Sequence, residues 1–174
     1  GWGPWGDLAL ERIADWEFEL AVEGGRLLRH FPCLQSGPFD ETRRHRFRQT
    51  DEHSLQVVSY SSRKGAYRLN PNQSVILEVA GDATTRFDLR VKRPTECRFA
   101  TTFGELVAGS LHCPTGPFPK ESCLWHRLVP RAASRVEDRV TLEVPIDSPS
   151  SAYLRVRQQN GHMAWASPVF MNPD

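Results

Sequence analysis

The sequence predicts an all-β protein: an antiparallel β-sandwich of jelly-roll or immunoglobulin-like type, with about ten strands and a short N-terminal helical segment. Three observations predict it. Apolar and polar residues alternate with a period of two, as in Trp16-Glu17-Phe18-Glu19-Leu20-Ala21-Val22 and Arg86-Phe87-Asp88-Leu89-Arg90-Val91-Lys92, which sends successive side chains to opposite faces of a strand. Such runs return roughly every 8 to 15 residues, the rhythm of a layered antiparallel fold. The 13 Pro and 12 Gly are spread along the chain, as turns between many short strands require.

The 174 residues are enough for one domain with a sizeable core. Residues 1–14 read as an N-terminal extension and residues 15–174 as the β-sandwich domain. A charged fraction of 25% and a net charge of +1 describe an ordinary globular chain, without the bulk positive charge of a nucleic-acid binder. No apolar run approaches the roughly 20 residues of a membrane-spanning helix.

Taken in order, Gly1-Trp2-Gly3-Pro4-Trp5-Gly6 is too rich in Gly and Pro for regular structure, and Asp7 offers an N-cap for a helix reaching Ala14. Trp2 and Trp5 plug one edge of the core, meet a further domain, or form an aromatic platform. Strands follow at Trp16–Val22 and, after Gly24-Gly25, at Arg26–Leu34. The basic run Arg43-Arg44-His45-Arg46-Phe47-Arg48 is flanked by Glu41, Asp51 and Glu52. It reads as a solvated strand face or loop rather than a polyanion site.

Ser54–Ser61 is the next strand. Val75–Ala80 and Thr85–Lys92, joined through Gly81-Asp82-Ala83, are expected to pair with each other. Cys97–Thr102 reads as a strand, Phe103–Ser110 as another or as a bulged continuation interrupted by Gly104 and Gly109, Leu111–Ser122 as a Pro-rich loop, Ser122–Val129 as a strand, and Pro130–Asp138 as a polar stretch with one helical turn. Arg139–Ile146 alternates again.

The chain closes on a hairpin, Ala152–Gln159 and His162–Ser167 around Asn160-Gly161, a pair suited to a two-residue type I′ turn. That turn puts Gln159 opposite His162 and Val156 opposite Trp165. Leu154, Val156, Met163 and Trp165 then share a core face, while Tyr153, Arg155, Arg157, Gln159 and His162 share a polar, donor-rich face. These last five residues are the candidate docking or ligand face. Solvation is the bland reading of the same five.

Chemistry-bearing motifs are otherwise missing. There is no Gly-rich phosphate loop, no Gly-x-Ser-x-Gly elbow and no His-Glu-x-x-His. His112, Cys113, Cys123 and His126 have a metal-like flavour, yet adjacent His-Cys ligation is awkward for zinc. The four cysteines are Cys33, Cys97, Cys113 and Cys123. Cys113 and Cys123, which bracket a turn-rich segment, are the pair best placed to bridge, and buried free thiols are the plainer reading. Asp40-Glu41, Asp51-Glu52 and Glu137-Asp138 lie in turn-like stretches and read as solvated. No catalytic residue, cofactor or metal ligand is assigned.

The segment Tyr153-Leu154-Arg155-Val156-Arg157-Gln158-Gln159-Asn160-Gly161-His162-Met163-Ala164-Trp165-Ala166-Ser167-Pro168-Val169-Phe170 resembles the C-terminal end of bacterial PHP-like, CehA/McbA-type metal-dependent phosphoesterases. Trp16–Val22 followed by Gly24-Gly25-Arg26 is similar to the start of the β region in such proteins. The family's metal ligands begin with a His-x-His pair in an N-terminal domain, and this chain has no such pair. The resemblance therefore implies a non-catalytic accessory module of a larger hydrolase, with the upstream catalytic domain as its partner. A carbohydrate-binding or cell-surface recognition module is the alternative.

Overall fold

A computed structural model describes residues 1–4, 13–34, 41–62, 72–117, 121–134, 137–143, 147–157, 161 and 163–171. The described residues are mostly antiparallel strand, as the alternation predicts. The chain divides into two compact units, Gly1–Ser134 and Arg135–Asp174.

The first unit is built on a five-stranded sheet. Its members are β2 (Ile13–Glu23), β4 (Arg46–Gln49), β5 (Ser54–Ser62), β7 (Arg86–Arg93) and β8 (Cys97–Thr102), in the order β4-β5-β2-β7-β8. The register aligns the inward side chains in rows: Leu55, Leu20, Leu89 and Phe99 lie opposite one another across four strands, and Val57, Phe18 and Val91 across three. Cross-strand apolar neighbours of this kind are the unit of sheet stability, and each fully buried one contributes about 1.5–3 kcal/mol.

The inner face packs against β1 (Trp2–Pro4), β3 (Arg26–Cys33), β6 (Ser74–Ala80), β9 (Leu111–Pro114), β10 (Glu121–Trp125) and the helix α1 (Phe103–Ala108). Trp2, Leu27, Leu106, Cys113 and Cys123 join one buried cluster with the sheet residues, and Val75, Leu77 and Val79 pack on it. β3 pairs with β6, and β1-β10-β9 form a three-stranded sheet. The two fully buried indoles each have a partner: Trp2 Nε1 donates to Ser59 Oγ (3.1 Å) and Trp16 Nε1 to Ser61 Oγ (2.9 Å). Trp2–Pro4, expected in an extension, are thus an integral strand of this unit. Ile13 and Ala14, expected at the end of a helix, begin β2, and the rest of that helix lies outside the described residues.

Four expectations are corrected. β6 and β7 do not pair with each other: β6 pairs with β3, and β7 with β2 and β8. The segment between them is a corner from one sheet to another, closed by Thr85 N on Asp82 O (3.0 Å) and Thr84 N on Asp82 Oδ1 (2.8 Å). Phe103–Ala108 is a helix, because Thr102 caps it and Glu105 reaches back to the Thr102 backbone in a capping box. The Pro-rich stretch supplies β9 and the start of β10, so the strand expected to run to Val129 ends at Trp125. Pro114, which has no N–H to give, sits opposite Ser122. Finally, of the run Arg139–Ile146 residues 139–143 are not strand and Val140 and Leu142 are exposed, while 144–146 lie outside the described residues: no strand among the described residues pairs with this stretch, and alternation alone does not hold an extended chain in a sheet. The expected helical turn after Pro130 is present as α2 (Arg131–Ser134).

The second unit contains two antiparallel ribbons. β11 (Ser150–Ala152) pairs with β14 (Val169–Met171), and β12 (Arg155–Arg157) with β13 (Met163–Trp165). Among its described residues none is buried.

Candidate functional site

β12 carries two of the five residues of the predicted docking face, Arg155 and Arg157, and pairs with β13 in a different register from the one the sequence suggests. Arg155 lies opposite Trp165, Val156 opposite Ala164 and Arg157 opposite Met163. The pairing is therefore centred on residue 160, one position away from a two-residue turn at Asn160-Gly161. Gly161 keeps the positive φ (90°) that a turn there needs. Because side chains alternate along a strand, this slip transfers Met163 and Trp165 from the Leu154 and Val156 face to the arginine face. The anticipated split into a core face and a polar face is accordingly replaced by one face that mixes arginines with Met163 and Trp165 and an exposed apolar face of Leu154, Val156 and Ala164. Ala166 N donates to Leu154 O (2.9 Å), which extends the same register outward.

Arg155 and Arg157 are exposed on β12, and Tyr153 is exposed just before it. Gln159 and His162 lie outside the described residues. The face is thus two guanidinium groups set directly beside an indole that is 59% exposed and a methionine that is 50% exposed. On the adjacent ribbon Phe170 is 73% exposed. Guanidinium groups beside aromatic and thioether side chains form a surface suited to a protein partner, since Arg, Trp and Met are enriched where interfaces bury most.

The outward face of the five-stranded sheet holds a second cluster that the sequence does not single out. Asp88 (β7) is flanked by Ala21 on β2 and Ala100 on β8, and these small neighbours leave a groove of about 470 Å³ edged by Glu19, Glu23, Arg90, Glu96 and Arg98. Arg98 grips Asp88 with two hydrogen bonds, Nε to Oδ1 (2.7 Å) and Nη2 to Oδ2 (2.6 Å). The Asp88 side chain is only 8% exposed while that of Arg98 is 69% exposed. Hydrogen bonding from Arg98 holds the Asp88 carboxyl below the usual carboxylate range, although burial opposes the shift. Both carboxylate oxygens are engaged by a guanidinium, so Asp88 is a fixed charge rather than a proton acceptor. Its clue in the sequence is an acid on the alternation of β7, but its partner arrives only through the pairing with β8.

The remaining candidates separate. Cys113 and Cys123 are direct cross-strand partners and face the core, whereas His112, opposite Leu124, is on the other side of the ribbon. Among the described residues no three His, Cys, Asp or Glu side chains are placed to hold a metal ion. In the basic run, Arg43 pairs with Asp15 (2.9 Å), His45 stacks on Tyr60 at 4.5 Å, and Phe47 turns inward between the exposed Arg46 and Arg48. Among the described residues no helix is long and apolar enough to cross a membrane. No protein-family model matches this chain, and no curated protein or solved structure gives a significant match.

Proposed function

We propose that this chain is a non-catalytic accessory β module of a larger bacterial PHP-like metal-dependent hydrolase, and that it packs on the catalytic domain through the Tyr153, Arg155, Arg157, Met163 and Trp165 surface. The observation that carries the docking half is the second unit itself. Its large apolar side chains, Leu154, Val156, Met163, Trp165, Val169 and Phe170 among them, are exposed. Two-stranded ribbons are marginally stable alone, and a small unit that leaves this many large apolar side chains exposed calls for a partner to cover them. The parent's identity is supported by the resemblance of the closing hairpin.

Sugar binding is the alternative. Trp2 and Trp16 are core residues and unavailable for stacking on a ring; among the described residues the exposed aromatics are Phe31, Tyr153, Trp165 and Phe170.

The experiment mixes this chain with the separately produced upstream domain encoded in the same reading frame and measures the dissociation constant. Trp165→Ser with Arg155→Glu is expected to weaken binding at least tenfold. An upstream region without a His-x-His metal domain, or binding indifferent to the double substitution, sinks the proposal. Saturable binding of a soluble oligosaccharide, lost in Trp165→Ser, would install the alternative.

A further inference from the structure

The pair Cys113 and Cys123 belongs to the first unit. The two residues lie directly opposite each other on β9 and β10, both inside the core at 1% and 4% exposure, and both thiols are free. Thr115 N donates to Glu121 O (3.2 Å), two steps along the same ladder. Hydrogen-bonded pairs recur every second residue in an antiparallel ladder, so Cys113 and Cys123 form one as well, with Cα atoms about 5.5 Å apart. Disulfides span roughly 4.4–6.8 Å between Cα atoms and most often about 5.5–6 Å. On the other side of β10, Gly1 and Leu124 exchange hydrogen bonds of 2.7 and 2.8 Å, which fixes the backbone of Cys123 from the far edge.

We infer that Cys113 and Cys123 are a latent cross-strand disulfide, a dithiol held in bridging position by the β1-β10-β9 sheet and closed by exchange with a small-molecule disulfide. One of the two thiolates attacks one sulfur of that disulfide, forming a mixed disulfide and releasing one small thiol. The other thiolate then attacks the protein sulfur of the mixed disulfide, and the second small thiol leaves. Two protein thiols are oxidised and one small disulfide is reduced to two thiols.

Burial pushes the Cys113 thiol up to about 11 and the Cys123 thiol up to about 12, which makes closure slow compared with an exposed thiol. Cys97 on β8 is near enough to raise both and is the competing partner.

The test incubates the folded chain with oxidised glutathione, quenches with acid, alkylates under denaturing conditions and maps the peptides by mass. The expected product is a Cys113–Cys123 linked peptide pair lacking two hydrogens, in the native chain and in Cys33→Ser/Cys97→Ser alike. The circular dichroism spectrum stays unchanged, and the Tm lies above that of the reduced protein. Alkylation of both Cys113 and Cys123 after Cys33 and Cys97 have been consumed would overturn the inference. So would a bridge from either to Cys97, or an oxidised form with a lower Tm. Because the double variant leaves Cys113 and Cys123 in place, the readout does not depend on a core substitution folding.

Discussion

The hydroxyl of Thr85 donates to the carbonyl of Gly24 across 3.0 Å and accepts from Asp82 N at 2.9 Å. Gly24 lies in the corner between β2 and β3, and Asp82 in the corner between β6 and β7, so one fully buried hydroxyl ties the two points where the chain leaves one sheet for the other. Thr85→Val keeps the shape and strips both bonds from two backbone groups. A loss of about 1–3 kcal/mol in urea unfolding is expected, with Thr85→Ser retaining most of the stability; equal stability of the valine variant would remove this pin from the account.

The same junction constrains its glycines. A Cβ at Gly25 would meet Ala80 O and Thr85 Cγ2, each at 2.7 Å, whereas one at Gly109 meets nothing within 4 Å. Gly25→Ala is expected to cost about 1–3 kcal/mol and Gly109→Ala to stay within about 0.5 kcal/mol of the parent. Thermal melts of the two variants side by side check the contrast.

Asp88 supplies a pH dependence whose sign is fixed. Its folded carboxyl sits below its ordinary value of 3.8, first because Arg98 hydrogen-bonds it, so the unfolded chain binds more protons in acid. The stabilisation is fully present above the ordinary carboxylate range and is lost as pH falls through the lower folded value. Asp88→Asn is expected to flatten the dependence of Tm on pH below about pH 4. The flattening is partial, because hydrogen bonds from Thr84 to Asp82 and from Thr102 to Glu105 lower those carboxyls too. An unaltered slope contradicts the reading.

For α1 the prediction concerns its cap. Glu105 N donates to Thr102 Oγ1 (3.3 Å) and Thr102 N donates to Glu105 Oε2 (2.9 Å). Thr102→Ala should cost about 0.5–2 kcal/mol and speed amide exchange at Glu105, with the strands of the five-stranded sheet protected as before.

What could be read in the chain was whatever depends on near neighbours. The alternation of Trp16, Phe18, Leu20 and Val22 marks β2 because one face of that strand is core and the other solvent. The sheet assignment of β6 and β7 was not legible, because a short Gly-Asp turn serves a hairpin and a corner equally well until Thr85 finds Gly24. The helix at Phe103 was signalled by Thr102-x-x-Glu105 and hidden by the valine and phenylalanine around it, which favour strands. At the closing hairpin, Asn160-Gly161 indicated the turn but not its register, and one residue of slip moved Trp165 onto the arginine face.

Side-chain oxidation by hydroxyl radicals tests the central claim most directly. It compares this chain alone with the intact gene product, reading Met163, Trp165 and Phe170 against Trp16 as the buried internal standard. Strong labelling of all three is expected in the isolated chain and at least a fivefold drop in the intact protein, with Trp16 weakly labelled in both. Equal labelling of Trp165 in the two forms would contradict it.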